Sequence, residues 1–99
     1  MAVVQITASA DADLADIVSD LTAKSGISTA ERYAAGFDAL FDRLAEYPDI
    51  GAPRPKLGAH TRIGIVPPYV AIYEHKGDIV TVLRVLHGRR NITARLIRL

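Results

Sequence analysis

Tyr69-Val70-Ala71-Ile72-Tyr73-Glu74, His75-Lys76-Gly77-Asp78 and Ile79-Val80-Thr81-Val82-Leu83-Arg84-Val85-Leu86 follow one another without a break, and their reading decides the architecture. The first run is rich in β-branched and aromatic residues, which fit a pleated, half-buried surface. The four residues after it suit a hairpin turn, with Gly77 free to take positive φ. The last run is apolar except for Thr81 and Arg84. Such a run suits a central strand buried on both faces.

Outward from this hairpin, Arg62 to Val66 reads as a short strand ended by Pro67-Pro68. Pro48 to Gly58, with Pro48, Gly51, Pro53 and Pro55, reads as a loop. Before it, Tyr33, Phe37, Leu40, Leu44 and Tyr47 recur at steps of four and three, the apolar face of an amphipathic helix. Ser28-Thr29-Ala30-Glu31 has the form of a capping box that would open this helix. An earlier helix carries Leu14, Ile17, Val18 and Leu21 on one stripe, with Ser9 as its expected N-cap and Gly26 as its stop. Asp11 and Asp13 lie in its first turn, where acids suit the helix dipole. Val3 to Ile6 is a first strand. Arg95-Leu96-Ile97 belongs to a tail that is either a short helix or an added strand.

The order β-α-α-β-β-β predicts an α+β, two-layer fold in a single domain, 1–99: a helical hairpin packed on one face of a largely antiparallel sheet. Nothing in the chain is left to cover the other sheet face. A period of two would place Arg84 there beside Val80, Val82 and Leu86.

The chain has 99 residues, 49% hydrophobic and 23% charged, and no cysteine. Disulfides, thiolate chemistry and cysteine-based zinc sites are excluded. The N-terminus lacks the features of a secretory leader and no apolar run approaches a bilayer span, so a cytoplasmic location is expected. The net charge of +1 conceals an asymmetry. Residues 1–53 hold nine acids against three basic residues, while residues 54–99 hold nine basic residues against two acids. A basic C-terminal half calls for an anionic partner, nucleic acid or an acidic protein segment, unless the two halves neutralise each other within the fold.

Arg84-Val85-Leu86-His87-Gly88-Arg89-Arg90, at the end of the last strand, resembles the ParE branch of the RelE/ParE toxins. Asp13-Leu14-Ala15-Asp16-Ile17 is similar to that family's first helix. The spacing Leu44…Pro48…Gly51…Arg54 is similar to its post-helix loop. Arg62 stands where an arginine often opens the next strand, and Tyr69 to Tyr73 is similar to the middle strand. The resemblance covers nearly the whole chain. It implies a toxin of a type II toxin–antitoxin pair that inhibits DNA gyrase by binding, not by catalysis. It also implies a separately encoded ParD-type, ribbon-helix-helix antitoxin that joins it in a hetero-oligomer and alone links it to DNA. RelE-like relatives instead cleave mRNA on the ribosome, and a non-toxic homologue that only binds antitoxin is a third reading.

RNA cleavage needs a base, an acid and a cation for the phosphate. His87 with Arg62, Arg84 and Arg89 would supply the candidates. Against this, the tail from Asn91 to Leu99 lacks a second acid–base residue, and His60 and His75 fall in expected loops. Arg84 has a bland alternative, an ion pair with Glu74 across the hairpin. Asp11, Asp13, Asp16 and Asp20 read as a solvated helix face, so no metal and no cofactor is expected. The expected target surface is the basic end, His87 to Leu99, with Arg62, Arg84, His87, Arg89, Arg90 and Arg95. The antitoxin is expected along the helical hairpin and sheet edge, at Leu14, Ile17, Phe41, Val80 and Val82.

Overall fold

The computed structural model describes residues 1–97. Its elements are β1 (Val3–Ile6), α1 (Ala8–Ser25), α2 (Ile27–Glu46), β2 (Ala52–Pro53), β3 (Thr61–Val66), β4 (Tyr69–Lys76), β5 (Ile79–His87) and α3 (Ala94–Ile97). The strands form one sheet in the order β1-β5-β4-β3-β2, with β1 parallel to β5 and every other pair antiparallel. This is the expected α+β arrangement, with one two-residue strand, β2, inside the proline-rich loop. Gly77 takes φ +56° and leaves a two-residue turn between Lys76 and Ile79. His75 therefore lies in β4, not in the turn expected for it.

The helical hairpin closes on a single residue. Gly26, at φ 90°, ends α1 and at once precedes the first residue of α2. So sharp a reversal places Ser28 and Thr29 within the first turn of α2. The capping box expected there does not form, and no side chain caps this helix. At the other end of the hairpin, Thr7 replaces Ser9 as the N-cap of α1. Its Oγ1 accepts the Ala10 N–H at 3.1 Å and donates to the Leu83 carbonyl at 2.9 Å. The helix begins early because Thr7 is still tied to β5, where its N–H bonds the Val82 carbonyl.

The main core lies between the hairpin and the sheet. Phe37, Leu40, Phe41 and Leu44 of α2 meet Ala71 and Tyr73 of β4 and Val80, Val82 and Val85 of β5. Removing such side chains from water contributes about 1.5–3 kcal/mol each. Tyr47, the last of the predicted helical stripe, is instead exposed.

The register of β5 explains why a strict period of two fails. Tyr73 pairs with Val82 but Ile72 pairs with Arg84, so Leu83 is an extra residue, a β-bulge. Val80, Val82 and Val85 consequently face the helices. Arg84 and Leu86 fall out of phase with them, which corrects the expected Arg84-Val80-Val82-Leu86 face. The second sheet face is not bare either. Leu57, Ile92, Leu96 and Ile97 pack on Ile72 and Leu86 there. The tail is helical over Ala94–Ile97.

Candidate functional site

β1 stops opposite Val82, but β5 runs on to His87. The edge of β5 beyond β1 is taken over by α1. Asp13 reaches from the helix so that its Oδ2 accepts both Arg84 Nε at 2.7 Å and the Val85 N–H at 3.0 Å, while Arg84 Nη2 meets Oδ1 at 3.0 Å. Arg84 Nη1 also donates to the Leu96 carbonyl at 3.1 Å, tying the tail to the same point. Both side chains are about 15% exposed, at 15% and 14%. The hydrogen bonds it donates to the Asp13 carboxylate hold the Arg84 guanidinium charged, raising its pKa against the effect of burial. Arg84 thus pairs with Asp13, not with Glu74, whose ladder partners are Thr61 and Thr81. Asp13 likewise leaves the solvated acidic face expected for it.

His87 ends β5 over an aromatic stack. Its ring stands edge-on to Tyr69, which itself contacts Tyr33 and Phe37. Burial, and then the neighbouring Tyr33 and Asp20, push the Tyr69 hydroxyl pKa up. The Arg89 N–H donates to His87 Nδ1 at 3.0 Å. In the neutral ring Nδ1 is thus the acceptor and Nε2 carries the N–H. Arg89, Arg90 and Arg95 follow on the surface, exposed and without an acidic partner among the described residues. Residues 98 and 99 of the expected basic end lie outside the described residues.

Arg62 belongs to a different place. It pairs with Tyr73 on β4, four residues from the Tyr69 that faces His87, roughly 13 Å along a strand. It donates to the carbonyls of Asp49 (2.9 Å) and Gly51 (2.8 Å), with Nε 3.4 Å from the Asp49 carboxylate. The Tyr73 hydroxyl donates to Pro48 O at 2.8 Å and accepts the Gly51 N–H at 2.9 Å. His75 meets Asp49 Oδ1 through Nδ1 at 2.7 Å and Gly77 O through Nε2 at 2.9 Å. The hydrogen bond from His75, then the charges of His75 and Arg62, hold the Asp49 carboxyl below its usual pKa despite some desolvation. These contacts pin the loop after α2. The sequence signal for them was weak, since Asp49 and His75 are 26 positions apart.

The candidate nuclease set is therefore not assembled. His87 and Arg89 are neighbours, Arg84 is engaged with Asp13, and Arg62 serves the distant loop. Among the expected antitoxin contacts, Phe41 of α2 and Val80 and Val82 of β5 are core residues between the hairpin and the sheet, the two valines alternating regularly onto the helix side before the bulge at Leu83. They are corrected from surface to core. Leu14 and Ile17 sit half-buried at the core's margin.

Ile17 also lines an open groove of about 580 Å³ between α1 and the end of β5, with Asp16, Asp20, Tyr69, His87 and Arg90. No group of His, Asp or Glu with metal-holding geometry occurs among the described residues, and no helix among them is long and apolar enough to cross a membrane. Only three charge pairs cross between the acidic and basic halves among the described residues: Arg84–Asp13, Arg62–Asp49 and His75–Asp49. Arg89, Arg90 and Arg95 of the basic end are thus in no ion pair among the described residues.

Residues 4–92 match the family model for the ParE toxin of the type II toxin–antitoxin system parDE. Toxin ParE3 of Caulobacter vibrioides is 31% identical over 84 residues, covering 85% of this chain and 84% of the relative. Toxin ParE1 of the same organism is 34% identical over 87 residues, covering 88% and 90%. In three dimensions the chain resembles a solved structure described as a chromosomal ParDE toxin–antitoxin system from P. aeruginosa, with TM-score 0.74 and 24% identity, over 88% of this chain and 96% of that one. At that identity the structural likeness speaks for the fold.

Proposed function

Because this chain belongs to the ParE toxin family of type II toxin–antitoxin systems, we propose that it acts in the cytoplasm as a single-domain toxin that inhibits DNA gyrase by binding. A cognate ParD-type, ribbon-helix-helix antitoxin holds it inactive in a hetero-oligomer and alone gives the pair its contact with DNA. The observation that carries this reading is the state of the basic end. Arg89, Arg90 and Arg95 are unpaired and exposed among the described residues, and beside them His87 Nδ1 accepts the Arg89 N–H. Such a surface binds an anionic partner. The arginines that phosphate binding in RNA cleavage would recruit, Arg62 and Arg84, are engaged elsewhere in the fold.

The expected target surface is His87, Arg89, Arg90 and Arg95. Arg84 supports it from behind by fixing β5 and the tail. Arg62 lies away from it and maintains the loop after α2. The antitoxin covers the helical hairpin and the sheet edge beside it, with Leu14 and Ile17 at the margin of the contact.

The test uses purified chain freed of antitoxin, incubated with gyrase, ATP and supercoiled plasmid. The expected result is linear DNA after protein digestion, abolished by added antitoxin. Growth arrest without linear DNA, accompanied by mRNA cleavage on ribosomes, would overturn the gyrase reading in favour of an endoribonuclease.

A further inference from the structure

We propose that the groove between α1 and the free end of β5 is a docking site for an extended peptide, which adds as a short strand to the β5 edge. It rests on the toxin–antitoxin reading, and the occupant is a segment of the antitoxin that carries a basic side chain.

The argument begins with the direction of backbone groups. In an antiparallel ladder, alternate residues turn their N–H and C=O toward the partner strand and away from it. The Gly88 N–H bonds Pro68 O at 2.8 Å, so Gly88 and Leu86 face β4. Val85 and His87 then face the opposite side, as the bond from the Val85 N–H to Asp13 shows independently. Along this edge, α1 satisfies what it can reach. Thr7 takes the Leu83 carbonyl and Asp13 takes the Val85 N–H. Beyond them, the Val85 carbonyl and the His87 N–H point toward the groove with no hydrogen-bond partner among the described residues. An open strand edge of this kind is a template for a second chain.

Side chains around the edge define what the added strand carries. Asp16 and Asp20 stand exposed on the α1 wall. Lys24 engages Asp20 at 3.0 Å, whereas Asp16 has no cationic partner among the described residues. This wall therefore takes a lysine or arginine. Arg90, across the opening, takes a carboxylate. Ile17 and Tyr69 give the apolar floor on which the strand's inward side chain rests. Val85 to His87 offers three residues of edge, roughly 10 Å of contact. The groove is thus short, and it complements a broader antitoxin contact on the hairpin.

The experiment is amide hydrogen exchange of the complex formed with the antitoxin, read by NMR at His87. The expected result is at least a tenfold slowing of exchange at the His87 amide relative to the free chain. In parallel, the double variant Asp16→Lys, Asp20→Lys should weaken antitoxin binding at least tenfold without altering Tm. Lys56→Glu, exposed in the loop between β2 and β3 at the opposite edge of the sheet, should leave binding unchanged. Tight antitoxin binding with an unprotected His87 amide would overturn the strand-addition proposal and leave the toxin reading intact. No antitoxin binding at all would overturn both.

Discussion

Asp13 of α1 and Arg84 of β5 form a two-point ion pair, at 2.7 and 3.0 Å, across 71 positions of sequence. The same carboxylate also holds the Val85 N–H at the edge where β1 has ended. Removing either charge strands the other with little access to water. Asp13→Ala or Arg84→Ala alone should cost about 3 kcal/mol of unfolding free energy. The double variant should cost clearly less than the sum of the two singles. Urea unfolding of the four proteins checks this, and additive losses would sink it.

The Tyr73 hydroxyl links Pro48 and Gly51. Tyr73→Phe keeps the ring in the core but orphans both backbone groups. The expected loss is about 1–2 kcal/mol, with faster amide exchange at Gly51. An unchanged Gly51 amide would mean that Arg62 and His75 hold the loop without the hydroxyl.

Asp49 supplies a pH dependence of known sign. Its folded-state pKa lies below the usual 3.8, chiefly through the His75 hydrogen bond. Its stabilisation is therefore fully present above 3.8 and is lost as pH falls through the lowered folded value. The difference in Tm between the native chain and Asp49→Asn should reach its full size above pH 3.8. It should vanish in acid below the lowered value, as read from melting curves at successive pH values.

Arg89 and Arg90 are exposed, so reversing their charge should leave the fold alone. Arg89→Glu with Arg90→Glu should reduce gyrase-dependent linear DNA at least tenfold, with Tm within about 2 °C of the native chain. His87→Ala should have a smaller effect, because a binding surface loses one contact where a nuclease would lose its chemistry. A near-total loss with His87→Ala alone would contradict the binding mechanism.

Val3 on the outer strand β1 and its ladder partner Ile79 on β5 are 58% and 42% exposed. An edge strand with apolar neighbours invites pairing between copies. The antitoxin-free chain should self-associate in sedimentation experiments, and Val3→Lys should reduce this. A monodisperse native chain would refute the idea.

The basic end and the two-layer order were legible in the sequence because they rest on local patterns. The 3.6-residue stripe of Phe37, Leu40 and Leu44, the apolar run of β5, Gly26 and Gly77, and the charge split between halves each need only neighbours along the chain. The candidate site was legible in part: His87, Arg89, Arg90 and Arg95 do lie at one exposed end. What the tertiary structure alone decided is which charges are already spent. Arg84 is bound to Asp13 and Arg62 to the Asp49 loop, pairings over 71 and 13 positions that no local pattern announces. It also decided the side each β5 residue faces, since one extra residue at Leu83 moves Val85 to the helices and Leu86 to the tail. A strand's alternation is read from sequence on the assumption of an unbroken ladder, and a bulge is settled by how the partner strand and the covering helix fit.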